Sequence, residues 1–156
     1  WLKGLSPKEN REVPPLVRET AFRLKKDFPD TVMLINGQIA SLDEAKALVD
    51  AGMDGVMVGR AAYQNPWMLA GVDEVLYGVE HDVTRLECVH RMTAYLEENY
   101  RDDVHAIRAV ARHVNGLAQG LPGARRWRQV LSDPAAIKDR GAGLIQYAWE
   151  EAFGEG

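Results

Sequence analysis

Two short apolar runs without alternation, separated by one helix-length segment, constrain this chain more than any other feature. Thr31-Val-Met-Leu-Ile35 is apolar after its first residue, and Asp54-Gly-Val-Met-Val-Gly59 is a second such run. Strands of this texture belong to parallel sheets covered on both faces. Between them, Ser41 and Glu44 have the spacing of a helix capping box, Ala45, Leu48 and Val49 continue an apolar face, and Gly52 follows as a stop. The sequel therefore overrides the hairpin signal of Asn36-Gly37. Residues 31 to 59 form a β-α-β unit with parallel strands. Two strands with apolar faces and two open edges cannot stand alone, so further strands come from outside this chain.

Helices flank the unit. Pro15 opens a helix over 15 to 28, with Leu16, Ala21, Leu24 and Phe28 at roughly helical spacing and Pro29 as its interruption. Residues 1 to 15, rich in Pro, Gly, Ser and Asn, read as a loop. Asn65-Pro66 pairs a cap with a first-turn proline, and Met68, Leu69, Val72, Val75 and Leu76 follow. Beyond Gly78 no strand-like run occurs. Thr84 and Glu87 cap a helix carrying Leu86, Val89, Met92 and Leu96; Val104 to Leu117 is a second, Ala124 to Leu131 a third, and a fourth runs from Asp133-Pro134 toward Phe153. The expected division is an α/β part over 1–80 and an all-α helical bundle over 81–156. No internal repeat or low-complexity segment is present.

The alternation of elements in 1–80 fits either a doubly wound sheet or a (β/α)8 barrel. Barrels of this kind often hold a phosphate on the loops after their last two strands. Asn36-Gly37-Gln38 ends the first strand with a turn in which backbone N–H groups can approach an anion. Gly59-Arg60 ends the second, adding a guanidinium able to make two hydrogen bonds to a phosphate and the start of a helical segment. The competing reading makes these ordinary turn residues and Arg60 a solvated side chain.

The chain has 156 residues, 19 Lys and Arg against 23 Asp and Glu, and one cysteine. A lone Cys88 excludes an internal disulfide and any multi-cysteine metal site, and points to a reducing, cytoplasmic location. No apolar run approaches the roughly 20 residues of a membrane span. Net charge is −4 overall, −3 over 1–81 and −1 over 82–156, so only a local patch could attract nucleic acid. Residues 101–128 hold one: Arg101, Arg108, Arg112, Arg125, Arg126 and Arg128 face only Asp102 and Asp103, a balance of +4. His105, Arg108 and Arg112 share one helical face, and Arg125 and Arg128 another, a spacing suited to phosphate backbone contacts or to a solvated surface. His81, His90 and His113 carry no motif and read as surface or packing residues. The first residue is Trp1, which suggests a fragment or a processed product.

Four stretches resemble a known family. Gly4-Leu-Ser-Pro-Lys-Glu-Asn-Arg-Glu-Val-Pro-Pro-Leu16, Ile35-Asn-Gly37, Asp54-Gly-Val-Met-Val-Gly-Arg-Ala-Ala-Tyr-Gln-Asn-Pro66 and Gln119-Gly-Leu-Pro-Gly-Ala-Arg-Arg-Trp-Arg128 are similar, in order, to the C-terminal half of the flavin-dependent tRNA-dihydrouridine synthases. The resemblance implies reduction of uridine to dihydrouridine in the tRNA D loop, with NADPH reloading FMN. It implies a TIM barrel followed by a helical tRNA-binding domain, the chain holding the last two barrel strands and the whole helical domain. FMN-phosphate contacts map onto Asn36, Gly37, Gln38, Gly59 and Arg60. Gln38 departs from the family's usual second glycine, so a positive φ there would strain the loop. For tRNA, Arg125 and Arg128 match the tail motif, Arg108 and Arg112 are further candidates, and Lys3 and Ser6 resemble positions near the target base. The family's acid is a cysteine in the N-terminal half, outside this chain; Cys88, in the first tail helix, reads as a packing thiol. No catalytic residue and no metal ligand is expected here, and partners are tRNA and the missing N-terminal half, with a monomer at full length. Two other readings remain: another FMN- or phosphate-binding barrel, and a non-catalytic helical RNA-binding module.

Overall fold

The structure is a computed structural model that describes Gly4, Ser6, Lys8, Glu9, residues 15–80 and residues 82–154. Its first part is built on the β-α-β unit. Helix α1 (Arg18–Asp27) leads to β1 (Leu34–Asn36), α2 (Leu42–Asp50) and β2 (Gly55–Met57). The strands are parallel, with Leu34 opposite Gly55, Ile35 opposite Val56 and Asn36 opposite Met57. Ser41 caps α2 as its spacing predicts, its Oγ accepting the Glu44 N–H at 3.1 Å. Both strands are shorter than the apolar runs. At the entrance the Asp54 carboxylate accepts the Met33 N–H at 2.7 Å while the Asp54 N–H donates to the Met33 carbonyl at 3.2 Å, and Asn36 belongs to the strand and not to the turn.

Burial departs from expectation. Of β1, only Ile35 is buried, whereas Leu34 is 67% and Val32 77% exposed. Among the described residues the sheet is thus covered on one face, while Val32, Leu34 and Met57 remain exposed. Helix α1 begins three residues later than Pro15, and its packing face is Ala21 and Phe22, partly buried, while Leu24 and Phe28 are exposed. The core here is Ile35, Ile39, Ala45, Leu48 and Met53.

A single turn and a half, α3 (Arg60–Gln64), leads into a 3₁₀ segment over Pro66–Gly71 and then α4 (Val72–Tyr77). The expected Asn65 cap makes no side-chain hydrogen bond, and the proline opens a tighter 3₁₀ turn instead of an α-helix.

The second part is helical: α5 (Arg85–Asn99), α6 (Val104–Val114), α7 (Ala124–Ser132), α8 (Pro134–Arg140) and α9 (Leu144–Phe153). Thr84 caps α5 through the Glu87 N–H at 3.1 Å, and Asp103 caps α6 through the Ala106 N–H at 2.9 Å. The single helix expected over 133–153 is two, because Gly141 takes φ 51° and a 3₁₀ turn over Gly141–Gly143 redirects the chain. Helices α5, α7 and α9 wrap a core in which Val89, Leu96, Ile107, Trp127, Leu144 and Ile145 are fully buried. Trp127 meets Trp149 edge to face at 5.8 Å and donates its indole N–H to the Asn115 carbonyl. Among the described residues no helix is long and apolar enough to cross a membrane.

Candidate functional site

Because β1 and β2 are parallel neighbours, the loops that leave them emerge at the same end of the sheet. They share one cavity of about 630 Å³, and all five residues singled out for phosphate, Asn36, Gly37, Gln38, Gly59 and Arg60, line it. Among the described residues the remaining lining is apolar or uncharged, and Arg60 is the cation on its wall. That donor set fits a phosphate monoester: backbone amides from one loop, a guanidinium from the other. Arg60 opens α3, which at five residues adds little dipole.

The first loop is held in a particular way. Gly37 has φ 133°, and a Cβ there would sit 2.5 Å from Leu16 Cδ1. Gln38 has φ 52°, the left-handed region, and it is the one non-glycine residue with positive φ among those described. For such a residue this conformation costs roughly 1–2 kcal/mol. The strain anticipated for Gln38 is therefore present, and contacts that sequence reading missed oppose it. Arg18, on α1, donates through Nη2 to the Gly37 carbonyl at 2.8 Å and to Glu44 Oε1 at 2.6 Å. Glu44, on α2, accepts the Ala40 N–H on Oε2 at 2.9 Å. These contacts, the Ala40 amide before the Arg18 guanidinium, hold the Glu44 carboxyl below the usual carboxylate range. The capping-box spacing located Glu44, but in the molecule its carboxylate reaches Ala40 and Arg18.

The RNA candidates are dispersed. Arg108 and Arg112 lie exposed on α6 and Arg125 and Arg128 exposed on α7, and no hydrogen bond or ion pair with a described residue engages any of the four. Arg126, between the last two, is paired with Glu151 on α9. Ser6 turns inward on its own loop, its N–H and Oγ both donating to Glu9 Oε2 at 2.8 and 2.7 Å. Lys3 lies outside the described residues, as does His81. Cys88 is half-buried against the helical core. Among the described residues no cluster of three or more His, Cys, Asp or Glu side chains is placed to hold a metal ion.

The two parts meet through side chains that carried no motif. Tyr63 Oη lies 3.1 Å from His113 Nδ1, the rings edge to face. Gly116 passes so close to α3 that a Cβ would be 2.3 Å from the Gln64 carbonyl oxygen. Trp67 packs on the helical core, with the Arg85 guanidinium 4.2 Å from its ring centre and donating to the Leu117 carbonyl. His113 is thus a junction residue, a role its bare sequence context did not signal.

Residues 2–152 match the model of the family described as dihydrouridine synthase (Dus). The chain belongs to the dihydrouridine synthase family. It is 44% identical over 149 residues to a tRNA-dihydrouridine(20/20a) synthase of Vibrio cholerae, an alignment covering 95% of this chain and 45% of that protein. The synthase of the same name from Escherichia coli K12 is 46% identical over 95% of this chain and 43% of its own length. That of Shewanella oneidensis is 46% identical over 96% and 44%. The chain therefore spans less than half the length of these family members.

Proposed function

We propose that the chain is the C-terminal, FMN- and tRNA-binding part of a flavin-dependent tRNA-dihydrouridine synthase, which reduces uridine to 5,6-dihydrouridine in the tRNA D loop with NADPH as reductant. In this reading residues 1–80 are the last β/α units of a TIM barrel and 81–156 the tRNA-binding domain of a cytoplasmic enzyme that is monomeric at full length. The convergence of two neighbouring strand-end loops on one cavity, with Arg60 in its wall, carries it.

When bound, FMN supplies hydride for the pyrimidine C5=C6 bond. The chain's own residues hold and orient. Amides of the Asn36–Gln38 turn and the Arg60 guanidinium take the phosphate, and Gly59 leaves room for close approach. Arg125 and Arg128, with Arg108 and Arg112, neutralise tRNA phosphates and set register without reading bases; Lys3 and Ser6 flank the target base. Proton delivery falls to an acid of the N-terminal half, since Cys88 packs against the helical core, and this chain alone is inactive.

Co-expression with the complementary N-terminal half tests the flavin assignment: the folded complex is expected to be yellow and to release FMN on denaturation. A folded, colourless complex overturns it and favours a non-catalytic RNA-binding module. For tRNA, Arg125→Ala with Arg128→Ala is expected to weaken binding and to reduce the slope of log affinity against log salt by about one per arginine. An unchanged slope removes these residues from the interface.

A further inference from the structure

The turn at the end of β1 places two consecutive residues at positive φ, Gly37 at 133° and Gln38 at 52°. A peptide plane between two such residues has a ready alternative. Rotating it by half a turn changes ψ of Gly37 and φ of Gln38 together and moves Gln38 toward the negative φ that a side-chain-bearing residue prefers. Left to itself, the 37–38 peptide would favour that flipped state. The flip also exchanges what the plane presents, because N–H and C=O of a trans peptide point in opposite directions. One orientation offers an anion a donor; the other offers it a carbonyl.

What opposes the flip is Arg18. Its Nη2 takes the Gly37 carbonyl at 2.8 Å, so the Gln38 N–H is directed away from the guanidinium. Arg18 is itself fixed by Glu44 Oε1 at 2.6 Å, and the other Glu44 oxygen holds the Ala40 N–H at the far end of the turn. One ion pair between α1 and α2 thus ties both ends of the loop. Arg18 is not on the cavity wall, so it acts through the loop and not on a ligand.

We infer that Arg18 is a positioning residue that locks the 37–38 peptide with its donor available to a phosphate, offsetting the strain that glutamine at position 38 introduces. The inference rests on the flavin-phosphate reading above. It makes the need for Arg18 depend on Gln38, since glycine there accepts positive φ freely.

The test titrates the complex of this chain and its N-terminal half with FMN and with riboflavin, which lacks the phosphate, following flavin fluorescence. Arg18→Gln is expected to weaken FMN by about tenfold or more, the loss of an orienting contact to a charged ligand. Riboflavin affinity stays within about twofold. Arg18→Lys, which keeps a cation beside Glu44 but on a side chain of different reach and shape, falls between. Adding Gln38→Gly to Arg18→Gln recovers most of the lost FMN affinity, a rescue that general destabilisation would not produce. If wild type holds FMN no tighter than riboflavin, the phosphate reading fails and takes the inference with it. If wild type discriminates and Arg18→Gln discriminates equally, or if Arg18→Gln weakens both flavins alike, or if Gln38→Gly gives no rescue, the inference alone is overturned.

Discussion

The strand-built part and the helical part are similar in size but differ in how much of their apolar surface they cover themselves. Among the described residues the first buries five apolar side chains and leaves Val32, Leu34, Met57 and Phe28 exposed. Among its described residues the second buries sixteen apolar side chains, including two tryptophans in edge-to-face contact. Helices can bury their stripes on one another within a short stretch of chain, whereas a parallel strand needs neighbours on both edges and a layer on each face. Where such neighbours and layers are few, a loop keeps its shape only where side chains tie it locally, as Arg18 and Glu44 do here.

The contrast can be broken most directly in the helical core. Trp127→Ala is expected to cost about 3–5 kcal/mol in denaturant unfolding, because a fully buried indole and its hydrogen bond to Asn115 are lost together. A loss no larger than that of Ile35→Ala, measured in the same way, would mean that the two cores are not unequal. At the junction, Gly116→Ala is expected to cost about 1–3 kcal/mol through overpacking against the Gln64 carbonyl. The accompanying change in the His113 ring resonances would report that Tyr63 has moved.

The caps give a smaller and more even comparison. Thr84→Ala removes one capping bond and should cost about 1 kcal/mol. Ser41→Ala loses the same bond and also frees the residue that carries the Arg18 contact, so hydrogen exchange should rise across Gly37 to Ala40 as well as in α2. Exchange confined to α2 would show that Glu44 holds its place unaided.

Acid has the mildest effect. Glu44 is held below the usual range by the Ala40 amide and Arg18, and Asp54 by Lys25 and the Met33 amide. A carboxyl whose folded value is depressed contributes stability above its unfolded value and loses it as pH falls through the folded one. Lowering pH beneath the ordinary carboxylate range should therefore loosen the strand-built part at both loops. In the helical part Glu151, depressed by Arg126 and Tyr147, holds an exposed contact beside an apolar core. Amide exchange measured in both parts at falling pH checks the order; simultaneous loosening would contradict it.

Much of this was legible in the residues. Unbroken apolar runs gave parallel strands, and the capping spacings at Ser41 and Thr84 placed two helix starts correctly. The five phosphate candidates could be gathered because parallel strands put their exits at one end. Harder to read were features decided by distant partners. Asp54 takes the Met33 N–H with its carboxylate just before β1, and Gly141 divides what the apolar pattern presented as one helix. Arg18 lies 19 residues before the carbonyl it holds, and no local spacing announces such a contact. Strand coverage was misjudged because texture alone does not say what packs on each face, and Val32 and Leu34 are exposed.

Arg85 stacks on the Trp67 ring while donating to the Leu117 backbone, and burial pushes its pKa down. A single planar cation therefore bridges two separate stretches from a third, stacking with its face and donating from its edge, a combination the flat guanidinium suits better than the ammonium of lysine. In evolutionary terms positions 67 and 85 are bound to drift as a pair: an aromatic lost at one should be accompanied by loss of the arginine at the other.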